Sequence, residues 1–237
     1  MRLDIYISSQ YEMSRSRAKD LIDQGAITIN GKIATKAGIC INSEDRIELD
    51  TVYTQYVNRA GLKLKRAIES FNIIVKDKKA LDIGASKGGF TDCLLQHGAC
   101  SVYAIDVGKN QFAKELKNDK RVFLFEETDI RDFDVSSHEF NIITCDVSFI
   151  SLLKLEGVFQ KLAVKDTELI LLIKPQFELS KREVGKNGIV KNRNLRNKAI
   201  QNVCQMMTML GYNLIGCIES PIRGKNGNTE FLSYFKL

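Results

Sequence analysis

Apolar positions along the chain fall into short continuous runs that alternate with stripes of helical period. The segments 80–83, 102–105, 122–125, 141–145, 169–173, 214–218 and 230–235 read as strands. Leu64, Ala67, Ile68 and Phe71 lie on one face of a helix before the first of them, and Asn194 to Leu210 reads as a longer helix. Strands alternating with helices predict a doubly wound α/β domain from about residue 56.

Residues 1–50 are patterned differently. Leu3, Ile5, Tyr6 and Ile7 suggest a short opening helix, and Ser14 is placed to cap a second one. Ala18, Leu21 and Ile22 give that helix its buried face, and Gly25 stops it. Ala26 to Ile29 then reads as a strand, and Asn30-Gly31 as a two-residue hairpin turn. Between Asp50 and Asn58 no period is visible. The expected division is therefore a small module over 1–50, a linker over 51–58 and the α/β domain over 59–237.

With 237 residues, 44% of them hydrophobic, the chain can bury a full core in each of two unequal domains. The apolar run Leu169–Ile173 is far too short to span a bilayer, and the N-terminus, with Asp4, lacks the pattern of a signal peptide. Cys40, Cys93, Cys100, Cys145, Cys204 and Cys217 are scattered, and His97 and His138 stand alone. Neither a zinc site nor a disulfide framework is expected, which points to a reducing cytoplasm.

The net charge of +6 is unevenly distributed. Basic residues gather on the second helix (Arg15, Arg17, Lys19), after the turn (Lys32, Lys36) and over 56–79, which includes Arg59. A further cluster over 174–198 includes Lys181, Arg182 and Lys186. Such local excess attracts a polyanion in a salt-dependent way, and these residues are the candidate RNA contacts.

The candidate chemistry begins at Asp82-Ile83-Gly84-Ala85-Ser86-Lys87-Gly88-Gly89-Phe90-Thr91, where a strand enters a glycine-rich bend and leaves as a helix. The spacing is neither the G-x-G-x-x-G of dinucleotide enzymes nor a P-loop. It suits a ligand with adenosine and an amino-acid head, namely S-adenosylmethionine, cradled by Gly84, Ser86, Gly88, Gly89 and Phe90. Asp106 closes the next strand about twenty residues on, where an acid can accept both ribose hydroxyls. Asp129 follows the third strand and is placed toward the adenine edge.

Four residues from separate places complete the site. Asp146 and Lys174 each end a strand, Glu230 opens the last one, and Lys63 lies near the start of the first helix of the α/β domain. Ligands of open α/β sheets sit at such strand ends. The set fits methyl transfer to a ribose 2′-hydroxyl, which needs alignment of the acceptor and removal of a poorly acidic proton, and no metal. A lysine serves as base where burial and a neighbouring ammonium make its charge costly, with Asp146 and Glu230 holding the amines.

Residues 1–50, with Ser14-Arg15-Ser16-Arg17, Leu21-Ile22 before Gly25, and Asn30-Gly31-Lys32, resemble the S4 RNA-binding domain. Residues 56–237 resemble the ribose 2′-O-methyltransferases of the RrmJ/FtsJ superfamily. The resemblance rests on Tyr56-Val57-Asn58-Arg59 with Lys63-Leu64, the Asp82–Thr91 loop, Asp146-Val147-Ser148-Phe149-Ile150-Ser151, Lys174-Pro175-Gln176-Phe177-Glu178 and Gly227-Asn228-Thr229-Glu230. Together the two parts resemble the TlyA family of rRNA (cytidine-2′-O)-methyltransferases, some of which carry the label haemolysin. The resemblance implies a Rossmann-like S-adenosylmethionine-dependent domain behind an S4-like domain, with the last strand inserted antiparallel. It also implies a catalytic tetrad of Lys63, Asp146, Lys174 and Glu230, and a ribosomal RNA substrate. The short form of the family implies 23S rather than 16S rRNA.

Rival chemistries fit less well. Base N-methylation wants Asn/Asp-Pro-Pro-aromatic, and Asp146-Val147-Ser148-Phe149 lacks both prolines. Carbon-5 cytosine chemistry wants a nucleophilic cysteine, often after proline, and neither Pro175 nor Pro221 precedes one. A membrane-lytic protein needs a spanning or amphipathic apolar segment. A non-catalytic RNA-binding or assembly factor has no use for the tetrad.

Overall fold

Ser14 and Gly25 bracket a helix because one supplies an acceptor and the other a left-handed backbone. The computed structural model describes residues 1–185, 188–224 and 227–237. In it α1 (Leu3–Gln10) and α2 (Arg15–Asp23) open the chain. The Ser14 hydroxyl accepts the Arg17 N–H at 3.2 Å, and Gly25 sits at φ +79° beyond the last turn. Leu3 and Ile7 of α1 and Ala18 and Ile22 of α2 pack with Ile27, Ala34 and Ile41 into a small core. The strands β1 (Ile27–Ile29), β2 (Lys32–Ile33) and β3 (Ile47–Leu49) form an antiparallel sheet in the order β2-β1-β3. Asn30 and Gly31, at φ +51° and +76°, make the expected turn. β3 was not legible in the sequence: it is as short as β1 but has exposed Glu48 at its centre and no Asn-Gly turn beside it to mark it.

Residues 51–58 fold as part of this first unit. Asp50 accepts the Val52 N–H at 3.0 Å and caps a short 3₁₀ turn over Thr51–Thr54. The Arg17 guanidinium donates to the carbonyls of Val57 at 2.6 Å, Tyr56 at 2.8 Å and Tyr53 at 3.3 Å. The chain accordingly divides into units Met1–Arg59 and Ala60–Leu237.

The second unit runs α3 (Ala60–Phe71), β4 (Lys79–Ile83), α4 (Gly89–Gln96), β5 (Ser101–Ile105), α5 (Lys114–Lys117), β6 (Val122–Phe125) and β7 (Ile142–Cys145). It continues with α6 (Glu156–Lys161), β8 (Glu168–Ile173), α7 (Pro175–Glu178), α8 (Arg193–Met209), β9 (Asn213–Glu219) and β10 (Phe231–Lys236). One sheet has the order β6-β5-β4-β7-β8-β10-β9. Its first five strands are parallel, and β10 runs antiparallel to both neighbours. Leu81, Ile83, Ile143, Leu169, Leu171 and Ile173 cluster with Phe159 of α6 and Val203 and Met207 of α8. The intervening residues Ala80, Val102, Ala104, Ile170 and Leu172 are buried as well. Burial on both faces is why these strands read as continuous apolar runs rather than alternating ones.

Candidate active site

The chain crosses from β4 to β5 and β6 on one side, then returns to place β7 on the other side of β4. That reversal opens a crevice at the carboxyl ends of the parallel strands. Because β10 is antiparallel, its start shares this edge with the ends of β4, β5, β7 and β8.

On the β4–β5 side lies the glycine loop. Gly84 has φ +83°, and a Cβ on it would stand 2.6 Å from the Asp146 carbonyl oxygen. Gly88 has φ +91°, and a Cβ on it would stand 2.5 Å from Leu116 Cδ1 and 3.0 Å from Phe112. The close approach that requires these glycines is therefore made by the protein's own backbone and side chains. Gly88 leads directly into α4, whose Thr91 N–H and hydroxyl both turn back to Asp82. Gly89 and Phe90 are buried, and Phe90 packs as a core side chain without an open face. Asp106 holds the loop from the β5 end, accepting the Ser86 N–H at 2.8 Å and the Gly108 N–H at 2.6 Å. Asp129 is committed to Arg131, whose guanidinium lies 2.5 Å away and whose hydrogen bonds hold the carboxyl below the usual carboxylate range. The adenine-edge role expected for Asp129 thus competes with a formed ion pair.

These residues fit S-adenosylmethionine. A carboxylate offers about four acceptor positions. Asp106, half-buried, has two taken by the loop and others left for ribose hydroxyls. Exposed Val107 beside it gives an apolar surface.

Behind the loop, Asp82 accepts hydrogen bonds from the hydroxyls of Thr91 at 2.6 Å and Thr144 at 2.9 Å, tying β4 to α4 and β7. Burial pushes its carboxyl up to about 6, against the two threonine hydrogen bonds.

Around β7, β8 and β10 the four remaining candidates form two ion pairs. Lys63 and Glu230, 7% and 3% exposed, meet at 2.6 Å. Lys174, 6% exposed, lies 2.6 Å from Asp146 Oδ1 and donates to the exposed Ser148 hydroxyl at 2.7 Å. The Asp146 oxygen is close but off the hydrogen-bonding direction, so that contact is an ion pair and the aligned bond goes to Ser148. Phe231 pairs with Ile173 across β10 and β8, which brings Glu230 and Lys174 to adjacent strand mouths. Pro175 starts α7 directly after Lys174, where its missing N–H costs nothing. Glu178 of α7 accepts the Ser151 hydroxyl at 2.5 Å and the Leu152 N–H at 3.0 Å, pinning the loop that carries Asp146 and Ser148. Burial pushes the Glu178 carboxyl up.

Phe149, on the same loop, is 92% exposed and held at φ +67°, with its ring 5.6 Å from that of Phe177. A bulky residue in this region of backbone space marks strain, and strain of this kind gathers at functional sites. Ser148 and Phe149 were present in the quoted motif but had no role from sequence. Their signal is three-dimensional: one hydroxyl on a buried lysine and one aromatic ring left in solvent.

The basic candidates divide. Lys19, Lys32, Lys181 and Arg182 are exposed, and Arg59 is half-buried at the end of the first unit. Arg15 is paired with buried Asp4 at 2.8 Å. Arg17 is occupied with three carbonyls of 53–57, which is structural work rather than a phosphate grip. Lys186 lies outside the described residues. Among the described residues no three His, Cys, Asp or Glu side chains converge as a metal site, and no helix is long and apolar enough to cross a membrane.

Residues 56–237 match the model of the FtsJ-like methyltransferase family, and residues 1–47 match that of the S4 domain. The chain belongs to the FtsJ-like methyltransferase family. The family uses S-adenosylmethionine, in agreement with the fit of the glycine loop and Asp106. Hemolysin A of Brachyspira hyodysenteriae is 42% identical over 241 residues, covering 99% of both chains. The 23S rRNA (cytidine-2′-O)-methyltransferase TlyA of Campylobacter jejuni is 37% identical over 254 residues, again covering 99% of both. A solved putative hemolysin from Streptococcus thermophilus is 36% identical, with a TM-score of 0.78 over 100% of this chain and 88% of the other.

Proposed function

We propose that this FtsJ-like methyltransferase methylates the ribose 2′-oxygen of a cytidine in ribosomal RNA, with 23S rRNA as the target. The observation that carries the reading is Lys174, a buried lysine at a strand mouth, held between Asp146 and Ser148 beside a second lysine–glutamate pair. S-adenosylmethionine supplies an electrophilic methyl on a sulfonium, so the protein has only to orient the acceptor and take its proton. Lys174 Nζ is the group placed to receive the 2′-hydroxyl proton, with Asp146 and Ser148 fixing its direction. Glu230 holds Lys63 as a fixed positive charge at the neighbouring mouth. Exposed Phe149 offers a ring on which an unpaired base can stack, in keeping with a single-stranded or flipped-out nucleotide. The S4 domain supplies RNA affinity, with Lys19 and Lys32 among its exposed cations. The choice of cytidine and of 23S rRNA is supported by the full-length match to the Campylobacter protein.

Single-turnover methylation by Lys174→Arg at saturating RNA tests the assignment. Arginine keeps the charge but cannot accept a proton. The expected rate is at least about a thousandfold below the parent. Lys174→Ala should be as slow while binding S-adenosylmethionine normally. Near-parental turnover by the arginine variant would reduce Lys174 to a phosphate clamp. Mass mapping of ribose methylation on treated ribosomes identifies the nucleotide.

A further inference from the structure

Glu230 stands at the end of a run in which the preceding residues are also held. Asn228 is 2% exposed, and both ends of its amide are satisfied by one distant segment. Its Oδ1 accepts the Val190 N–H at 2.9 Å and its Nδ2 donates to the Gly188 carbonyl at 2.7 Å. Its own carbonyl accepts the Gly224 N–H at 2.9 Å. Next in line, Thr229 accepts from the Arg196 guanidinium of α8 at 2.8 Å. Gly224 lies so near Glu230 that a Cβ on it would stand 2.4 Å from Oε1. The carboxylate that pairs with Lys63 thus leaves a strand start whose approach is fixed by hydrogen bonds to residues 188–190 and to α8.

We infer that Asn228 is a positioning residue for Glu230: its amide latches residues 227–230 onto residues 188–190 and so fixes the carboxylate against Lys63. The inference rests on the reading of the Lys63, Asp146, Lys174 and Glu230 set as the methyl-transfer machinery. An amide is required because the latch needs a donor and an acceptor at once. Aspartate keeps the shape, but turns an oxygen toward the Gly188 carbonyl and leaves that carbonyl without its donor. The latch is also remote from the cofactor side, since β7 and β8 separate β10 from β4.

The test uses the full chain with Asn228→Ala, Asn228→Asp, Glu230→Gln and the double variant Asn228→Ala/Glu230→Gln. S-adenosylmethionine affinity is measured by calorimetry and methylation under single turnover at saturating ribosomal RNA. Affinity should stay within about twofold of the parent, while both Asn228 variants slow methyl transfer by about thirtyfold or more. The double variant should be no slower than Glu230→Gln alone, because an effect transmitted through Glu230 vanishes once that carboxylate is gone. A merely structural Asn228 would instead slow the Glu230→Gln enzyme by its full factor again, and that outcome overturns the inference. Should Asn228→Ala fail to fold, the same cycle is run with the isosteric Asn228→Asp. Parental turnover by Glu230→Gln overturns the tetrad reading and this inference with it. An inactive Glu230→Gln beside a fully active Asn228→Asp overturns only the inference.

Discussion

Gly84 lies against the backbone of Asp146, so close that one added carbon would come within 2.6 Å of its carbonyl oxygen. The glycine loop and the strand end carrying Asp146 are thus in van der Waals contact through a missing side chain. Gly84→Ala is expected to cost about 3 kcal/mol of stability, from its left-handed backbone and from displacing Asp146. Cofactor affinity and methyl transfer should fall together. Gly157→Ala in α6 is the control: its Cβ meets nothing within 4 Å, and its φ is not positive. Denaturant titration should show that variant unchanged or stabilised by about 0.5–1 kcal/mol.

Asp82 predicts a pH signature. Its carboxyl is pushed up to about 6 from an ordinary 3.8, so the folded state holds the proton more tightly than the unfolded chain does. Stability from this group is therefore greatest below the unfolded value and is lost as pH rises through the folded one. Asp82→Asn has no such titration, and the threonine hydroxyls can rotate to serve its amide. Relative to the parent, the variant should gain stability between about pH 4 and pH 6, levelling off at roughly 3 kcal/mol. A stability difference independent of pH would contradict this.

Arg17 should behave as a structural residue. Arg17→Lys keeps the charge but cannot reach three carbonyls with one ammonium. Hydrogen exchange over residues 51–58 should quicken, and the first unit should lose about 2 kcal/mol. Lys32→Ala, by contrast, should leave exchange unchanged and reduce the salt dependence of RNA binding by about one ion.

Phe149 should show opposite effects on stability and activity. Phe149→Gly relieves a backbone at φ +67° and removes an exposed ring, so melting temperature should hold or rise. Methylation of ribosomal RNA should fall about tenfold or more, the scale of losing one base stack. Equal activity with a raised melting temperature would leave the strain without a function at this site.

The sequence alone determined the α/β class and the strands of the large sheet, and it named the four residues that the fold gathers into two ion pairs. Strands buried on both faces must be apolar without interruption, and turns that need left-handed backbone must use glycine or asparagine, so both are written in residue type. The same holds for Lys63, Asp146, Lys174 and Glu230, which stand at the ends or starts of recognisable elements. β3 escaped because, unlike the equally short β1, it has no turn signal beside it and a charged residue at its centre. Only the tertiary structure decided which lysine meets which acid, since Lys63 and Glu230 are 167 positions apart. It also decided that Arg17 and Asp129 are occupied by neighbours, and that Gly84 and Gly88 make room for the protein rather than for its ligand. These are facts of packing. A residue type states what a side chain can bind, whereas the choice among available partners is made by whatever the folded chain brings within about 3 Å of it.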